Sequence, residues 1–161
     1  MYDVLKLAES FEIEGYKFYK SKATEVKSKA ITEIFEYLAN MEKEHTEFIR
    51  GLMKSLEEGR EIEKIPQQDT KFFKERYESQ RLSETSQEDD IADLSVLRMA
   101  YLIEKDFMEF YTKAAQSEKN EKVKEILEIL AKWEEGHKKI IEEQMNYIIE
   151  KNHLDLGFYP F

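Results

Sequence analysis

The sequence predicts an all-α fold, a four-helix bundle made of two repeated helical hairpins joined by a long crossover. Three observations predict it. The 161 residues include only 5 Gly and 2 Pro beside abundant Glu, Lys, Leu, Ile and Ala, so strong helix formers run with few interruptions. Apolar residues recur at three- and four-residue spacing in two long stretches, Ile34, Phe35, Leu38, Met41, Ile49 and Leu52, then Val123, Ile126, Leu127, Leu130, Trp133 and Ile141. Finally, the chain repeats itself: at an offset of 92 residues, positions 4–53 align with 96–145 without a gap, matching Val4-Leu5 to Val96-Leu97, Phe18-Tyr19 to Phe110-Tyr111 and Leu38-Ala39 to Leu130-Ala131. A hairpin with one apolar stripe cannot bury it alone, so the two copies must face each other.

In chain order, the first helix is expected from Asp3 as N-cap to about Thr24, turning Leu5, Ala8, Phe11, Glu12, Gly15, Phe18 and Tyr19 inward. Ser28 can cap the second helix, which runs to about Glu58 and stops at Gly59. The second half repeats the punctuation, with Ser95 in the place of Asp3 and Asn120 in the place of Ser28, giving helices over about 96–117 and 121–150. Residues 59–92 form the crossover, too long for a turn between antiparallel neighbours and suited to running the length of a bundle. Within it, 70–78 reads as a short helix whose Phe72, Phe73 and Tyr77 pin the crossover to the bundle. After Lys151 comes a tail with Phe158, Tyr159 and Phe161, costly to leave in water and therefore expected to dock on the bundle or on a second subunit. The whole is one domain over 1–161, with repeat halves of about 4–58 and 96–150, and the apolar surplus predicts a homodimer.

Composition excludes several classes of function. A formal net charge of −10 argues against nucleic acid and anionic membrane as partners. With no Cys there is no disulfide, iron–sulfur cluster or thiolate zinc site in the chain. No stretch approaches the roughly 20 apolar residues of a membrane span and no signal sequence is evident, so a cytoplasmic protein is expected.

Six residues carry the chemistry. Glu42 and His45 lie three positions apart, one helical turn, and so do Glu134 and His137 at the 92-residue offset. Thirty residues before each of these glutamates stands another, Glu12 and Glu104, giving two superimposable triplets. All six fall inside the apolar stripes, which would bury four carboxylates in one core. Unpaired buried charge is so unfavourable that it must be neutralised or coordinated. Two divalent cations with neutral imidazoles close the charge count. Tyr19 and Tyr111 stand two turns beyond Glu12 and Glu104, where a phenol can hydrogen-bond a ligand carboxylate or supply a proton or an electron, making them the candidate catalytic residues. Glu9 is a candidate seventh carboxylate, although its counterpart is Tyr101, and His153 lies off the ligand register as a surface residue.

Glu12, the Glu42-Lys43-Glu44-His45 motif, Glu104, the Glu134-Glu135-Gly136-His137 motif and the run Glu12-Ile13-Glu14-Gly15-Tyr16-Lys17-Phe18-Tyr19 together resemble the ferritin-like di-iron carboxylate proteins, and among them the rubrerythrin group. The resemblance implies a ferritin-like four-helix bundle in which Glu42 and Glu134 bridge two iron ions, with Glu12 and His45 on one and Glu104 and His137 on the other. It implies reduction of hydrogen peroxide in oxidative-stress defence. Full-length rubrerythrins carry a four-Cys rubredoxin domain; with no Cys here, the electron donor is expected to be a separate protein such as a rubredoxin. They also carry a further Glu one turn after the third-helix ligand, where this chain has Phe107, so that its ligand set looks like the symmetrical six of bacterioferritin-type ferroxidase centres. Ligand type alone also suits manganese or zinc. Oxidation of ferrous iron by O2, or a structural bundle whose metals only hold it together, are the alternative readings.

Overall fold

In the computed structural model, which describes residues 2–62 and 85–153, the chain forms α1 (Tyr2–Ala23), α2 (Lys29–Glu57), α3 (Gln87–Ser117) and α4 (Glu121–Lys151). α1 and α2 form one antiparallel hairpin, α3 and α4 the other, and α1 also meets α3. Among the described residues there is no strand, and no helix is long and apolar enough to cross a membrane.

The caps explain most boundaries. Ser28 Oγ accepts from Ile31 N at 3.4 Å, and Asn120 Oδ1 accepts from Lys122 N and Val123 N at 3.0 and 3.2 Å, satisfying donors that a helix start leaves open. Gly59 follows α2 with φ +66°, a left-handed conformation that glycine adopts without cost. Two expected starts are corrected. Asp3 lies inside the first turn of α1 rather than capping it, where its charge suits the positive end of the helix. Ser95 is not a cap either: α3 begins at Gln87, capped by Ser86 Oγ accepting from Asp89 N at 3.1 Å, and Ser95 sits within the helix bonded to the carbonyl of Ile91. The acidic run Glu88-Asp89-Asp90 looks like a solvated linker in sequence, yet acidic residues are favoured in a first turn, and Leu94 continues the buried stripe backwards from Leu97.

Asp93 fixes how the two hairpins meet. Its carboxylate, almost fully buried, accepts from Lys27 N and Ser28 N, both at 2.8 Å, and so ties α3 to the start of α2. Because α3 begins beside the start of α2, the two chain ends joined by 58–86 lie at opposite ends of the bundle, as a lengthwise crossover requires. A second tie holds the far end of α4 to the beginning of α3, where Asp90 Oδ2 receives Lys151 Nζ at 2.8 Å and Asn152 Nδ2 at 2.9 Å. The expected short helix at 70–78 and the aromatic tail lie outside the described residues.

The core is in two parts. One apolar cluster gathers Ile34, Phe35, Leu38, Leu97, Ile141 and Met145, and another Leu5, Ile49, Leu52, Ile126, Leu127 and Leu130. Burying each such side chain contributes about 1.5–3 kcal/mol. On every helix, the stretch between these clusters buries carboxylates or imidazoles: Glu12 on α1, Glu42 and His45 on α2, Glu104 on α3, Glu134 and His137 on α4, with Gly15, Met41 and Phe107 beside them. The bundle therefore has two dry halves and a charged waist.

Candidate metal centre

All six sequence-predicted ligands meet in that waist, and none is more than 2% exposed. Their ligand atoms form two overlapping groups, Glu12, Glu42, His45 and Glu134, and Glu42, Glu104, Glu134 and His137, within each of which all atoms lie inside 4.8 Å of one another. Glu42 and Glu134 belong to both groups, as bridging residues must. The helical hairpin geometry dictates this arrangement, since a Glu and a His one turn apart share a face and the internal repeat turns the second pair towards the first.

Each imidazole approaches the opposite hairpin most closely. His45 Nδ1 is 3.2 Å from Glu134 Oε1 and 3.3 Å from Glu12 Oε2, while His137 Nδ1 is 3.2 Å from Glu42 Oε1 and 3.5 Å from Glu104 Oε1. The two rings lie parallel, 5.5 Å between centroids and 5° between planes. The tyrosines cross over as well: Tyr19 Oη donates to Glu104 Oε1, and Tyr111 Oη donates to Glu12 Oε1. Both phenols therefore hold carboxylates of the cluster, each from the other half of the repeat. Glu9 instead pairs with Arg50 at 2.5 Å on the outside of the bundle, so it is no seventh ligand, and His153 is exposed beyond the end of α4.

Burial dominates the electrostatics. Desolvation, with the charges of Glu12, Glu134 and Glu104 added, pushes Glu42 well above the usual carboxylate range. Desolvation and the Glu134 charge push Glu104 up to about 8, against the opposing pull of His137. Glu134 goes the other way: burial opposes its charge, but the neighbouring Glu104, His137 and His45 groups that face it hold it well below the usual range. Burial alone would lower both imidazoles, yet Glu12 and Glu134 hold His45 up at about 9, and Glu104, with Glu134 and Glu42, holds His137 well above its ordinary value. Tyr19 and Tyr111 are raised well above 10, first by burial and then by the adjacent carboxylates, so both stay protonated donors. Protons thus occupy the charge-neutralising role that cations fill in a metal centre.

The residues fit a di-metal site. Glu42 Oε1 and Oε2, Glu134 Oε1 and Oε2, and Glu104 Oε2 are buried without a well-directed hydrogen bond, a state that costs about 1–3 kcal/mol for each such group unless something else coordinates it. Four carboxylates and two imidazoles, two carboxylates being shared, match two divalent cations in number, charge and donor type.

Three features of the site have no strong sequence signal. Trp133, half-buried, stacks on His45 at 4.7 Å and 18°, a contact across α2 and α4 that spacing within one helix does not reveal. Gly15 lies against the Glu42 carboxylate: a Cβ there would come within 3.4 Å of Glu42 Cδ. Glu14 and Asp106 stand together at a groove above the site, and their only advance signal is that they share the 92-residue offset.

No curated protein and no solved structure matches the chain. The rubrerythrin family model matches residues 3–145, a span that holds both triplets and both tyrosines. A four-helix bundle with this paired carboxylate–imidazole waist is what that match leads one to expect, and the chain belongs to the rubrerythrin family.

Proposed function

We propose that this protein is a di-iron oxidoreductase that reduces hydrogen peroxide to water, using electrons from a separate donor protein such as a rubredoxin. The observation that carries the reading is the pair of superimposable carboxylate–imidazole triplets sharing Glu42 and Glu134 in a water-excluding core. Iron is preferred to zinc because the reaction needs a metal that changes oxidation state. When bound, the metal pair supplies two electrons and open coordination positions for the peroxide.

The chain's own groups do the rest. Glu12 with His45 would hold one ion and Glu104 with His137 the other, while Glu42 and Glu134, common to both groups, would buffer the change in charge. Tyr111 and Tyr19 orient Glu12 and Glu104, and each carries a proton at Oη that its raised pKa retains at neutral pH. That proton can pass to an oxygen leaving as water and be replaced from solvent. The balance is one hydrogen peroxide, two electrons and two protons to two waters. The apolar halves of the core exclude bulk water and so strengthen every electrostatic contact within the waist.

Stopped-flow mixing of the anaerobically reduced, iron-loaded protein with each oxidant tests the reading. Faster oxidation by hydrogen peroxide than by O2, with the irons retained through repeated reduction cycles, is the expected result. If O2 reacts faster and added ferrous ions turn over far beyond the bound complement, the protein is a ferroxidase.

A further inference from the structure

We propose that the groove between α1 and α3 is the port by which a small neutral oxidant reaches the Glu42 side of the centre, and that the Phe107 ring sets the size of what enters. The port rests on geometry; the identity of the oxidant rests on the peroxide-reducing reading above.

The groove has a volume of about 330 Å³ and is lined by Phe11, Glu14, Gly15, Ile103, Asp106, Phe107 and Phe110. At ~30 Å³ per molecule in the liquid, that is room for about ten waters. It follows the internal repeat: Phe11 and Ile103, Glu14 and Asp106, and Gly15 and Phe107 are three pairs at the 92-residue offset. At the third pair the symmetry breaks, with no side chain in one half and an aromatic ring in the other. A Cβ on Gly15 would lie 3.2 Å from Phe107 Cε2 and 3.4 Å from both Glu42 Cγ and Glu42 Cδ. Gly15 is therefore the thin part of the wall, with the Phe107 ring at the groove side and a buried carboxylate on the other. Both oxygens of that carboxylate lack a well-directed hydrogen bond.

The lining chooses the occupant. Phe11 stacks on Phe107 at 5.4 Å and 15°, and Phe110 meets Phe11 edge-on at 4.9 Å, so the inner wall of the groove is aromatic and gives an ion leaving the water of the groove no polar partner. Glu14 and Asp106, both exposed at the rim, repel anions. The opposite side of the waist carries the two stacked imidazoles with the Trp133 indole over His45. A small uncharged molecule is what this passage admits, and the Phe107 ring excludes larger hydroperoxides.

Two measurements test the proposal. Xenon pressed into crystals of the metal-free protein should sit against Phe11, Phe107 and Phe110 in the wild type, and move inward beside Gly15 in Phe107→Ala. With iron loaded and reduced, the wild type should prefer hydrogen peroxide to tert-butyl hydroperoxide. Phe107→Ala, and more mildly Phe107→Leu, should narrow that preference by about tenfold at unchanged iron content. A groove that takes no xenon, or a preference unchanged in both variants, overturns the proposal. So does a variant that speeds ferrous uptake by the metal-free protein and leaves peroxide rates alone, since the groove would then be a metal route. A wild type that takes xenon in the groove but reacts with neither peroxide overturns the functional reading, while the port for a small neutral molecule stands.

Discussion

Glu42 and Glu134 are the same residue type at equivalent places in the repeat, yet burial and neighbouring charge push Glu42 well above the usual carboxylate range, towards its neutral form, while Glu104 and the two imidazoles hold Glu134 well below it. Glu42→Gln therefore replaces a neutral group with a neutral group of the same shape in the metal-free protein. Its metal-free stability should stay within about 1 kcal/mol of wild type, whereas metal content falls below that of the wild type because a shared ligand is gone. Metal analysis together with melting curves of both forms checks this, and equal destabilisation of the two forms would contradict it. Tyr19→Phe removes the donor to Glu104 and leaves a buried carboxyl oxygen unpaired, a loss of about 1–3 kcal/mol by denaturant titration. At this scale the sequence was highly legible for which four carboxylates and two imidazoles meet in the waist, because their identity, their one-turn spacing and the 92-residue offset are all written along the chain. It was silent on the phenols' partners, since Tyr19 reaches Glu104 and Tyr111 reaches Glu12 across the bundle.

Helix starts are legible where a cap acts within its own helix, as Ser28 and Asn120 do, and misleading where a charged run reads as a linker. The start of α3 was hidden in this way, because Glu88, Asp89 and Asp90 stabilise a first turn while reading as solvated loop. Asp93 was invisible for a different reason: its partners are backbone donors of another hairpin, Lys27 N and Ser28 N, and its counterpart at the repeat offset is Met1. Asp93→Ala should cost about 1–3 kcal/mol, since two donors beside a buried position lose their acceptor. Amide exchange should accelerate first around Lys27, Ser28 and the opening turn of α2, and a loss spread evenly over all four helices would contradict the local role given to Asp93.

For the molecule as a whole, the charged waist makes metal-free stability fall with rising pH while the stabilisation by metal grows. Glu104 rises from 4.5 to about 8 on folding, and His45 from 6.5 to about 9. Both bind protons more tightly when folded, so the stability they contribute is complete below 4.5 and 6.5 respectively and is lost as pH rises through 8 and 9. The metal-free protein should therefore melt at lower temperature at pH 9 than at pH 6. Metal must displace those same protons, so its affinity rises over that range and the gap between loaded and metal-free melting temperatures widens. A metal-free melting temperature that rises from pH 6 to 9 would contradict the proton-holding cluster. The paired triplets, sharing Glu42 and Glu134, entail one centre for two cations. Calorimetric titration of metal-free protein with ferrous ion under anaerobic conditions, repeated in buffers of different ionisation enthalpy, tests it most directly: the endpoint should fall at two ions per chain with net proton release, matching the two ligand groups, and an endpoint at one ion, or binding without proton release, would contradict it.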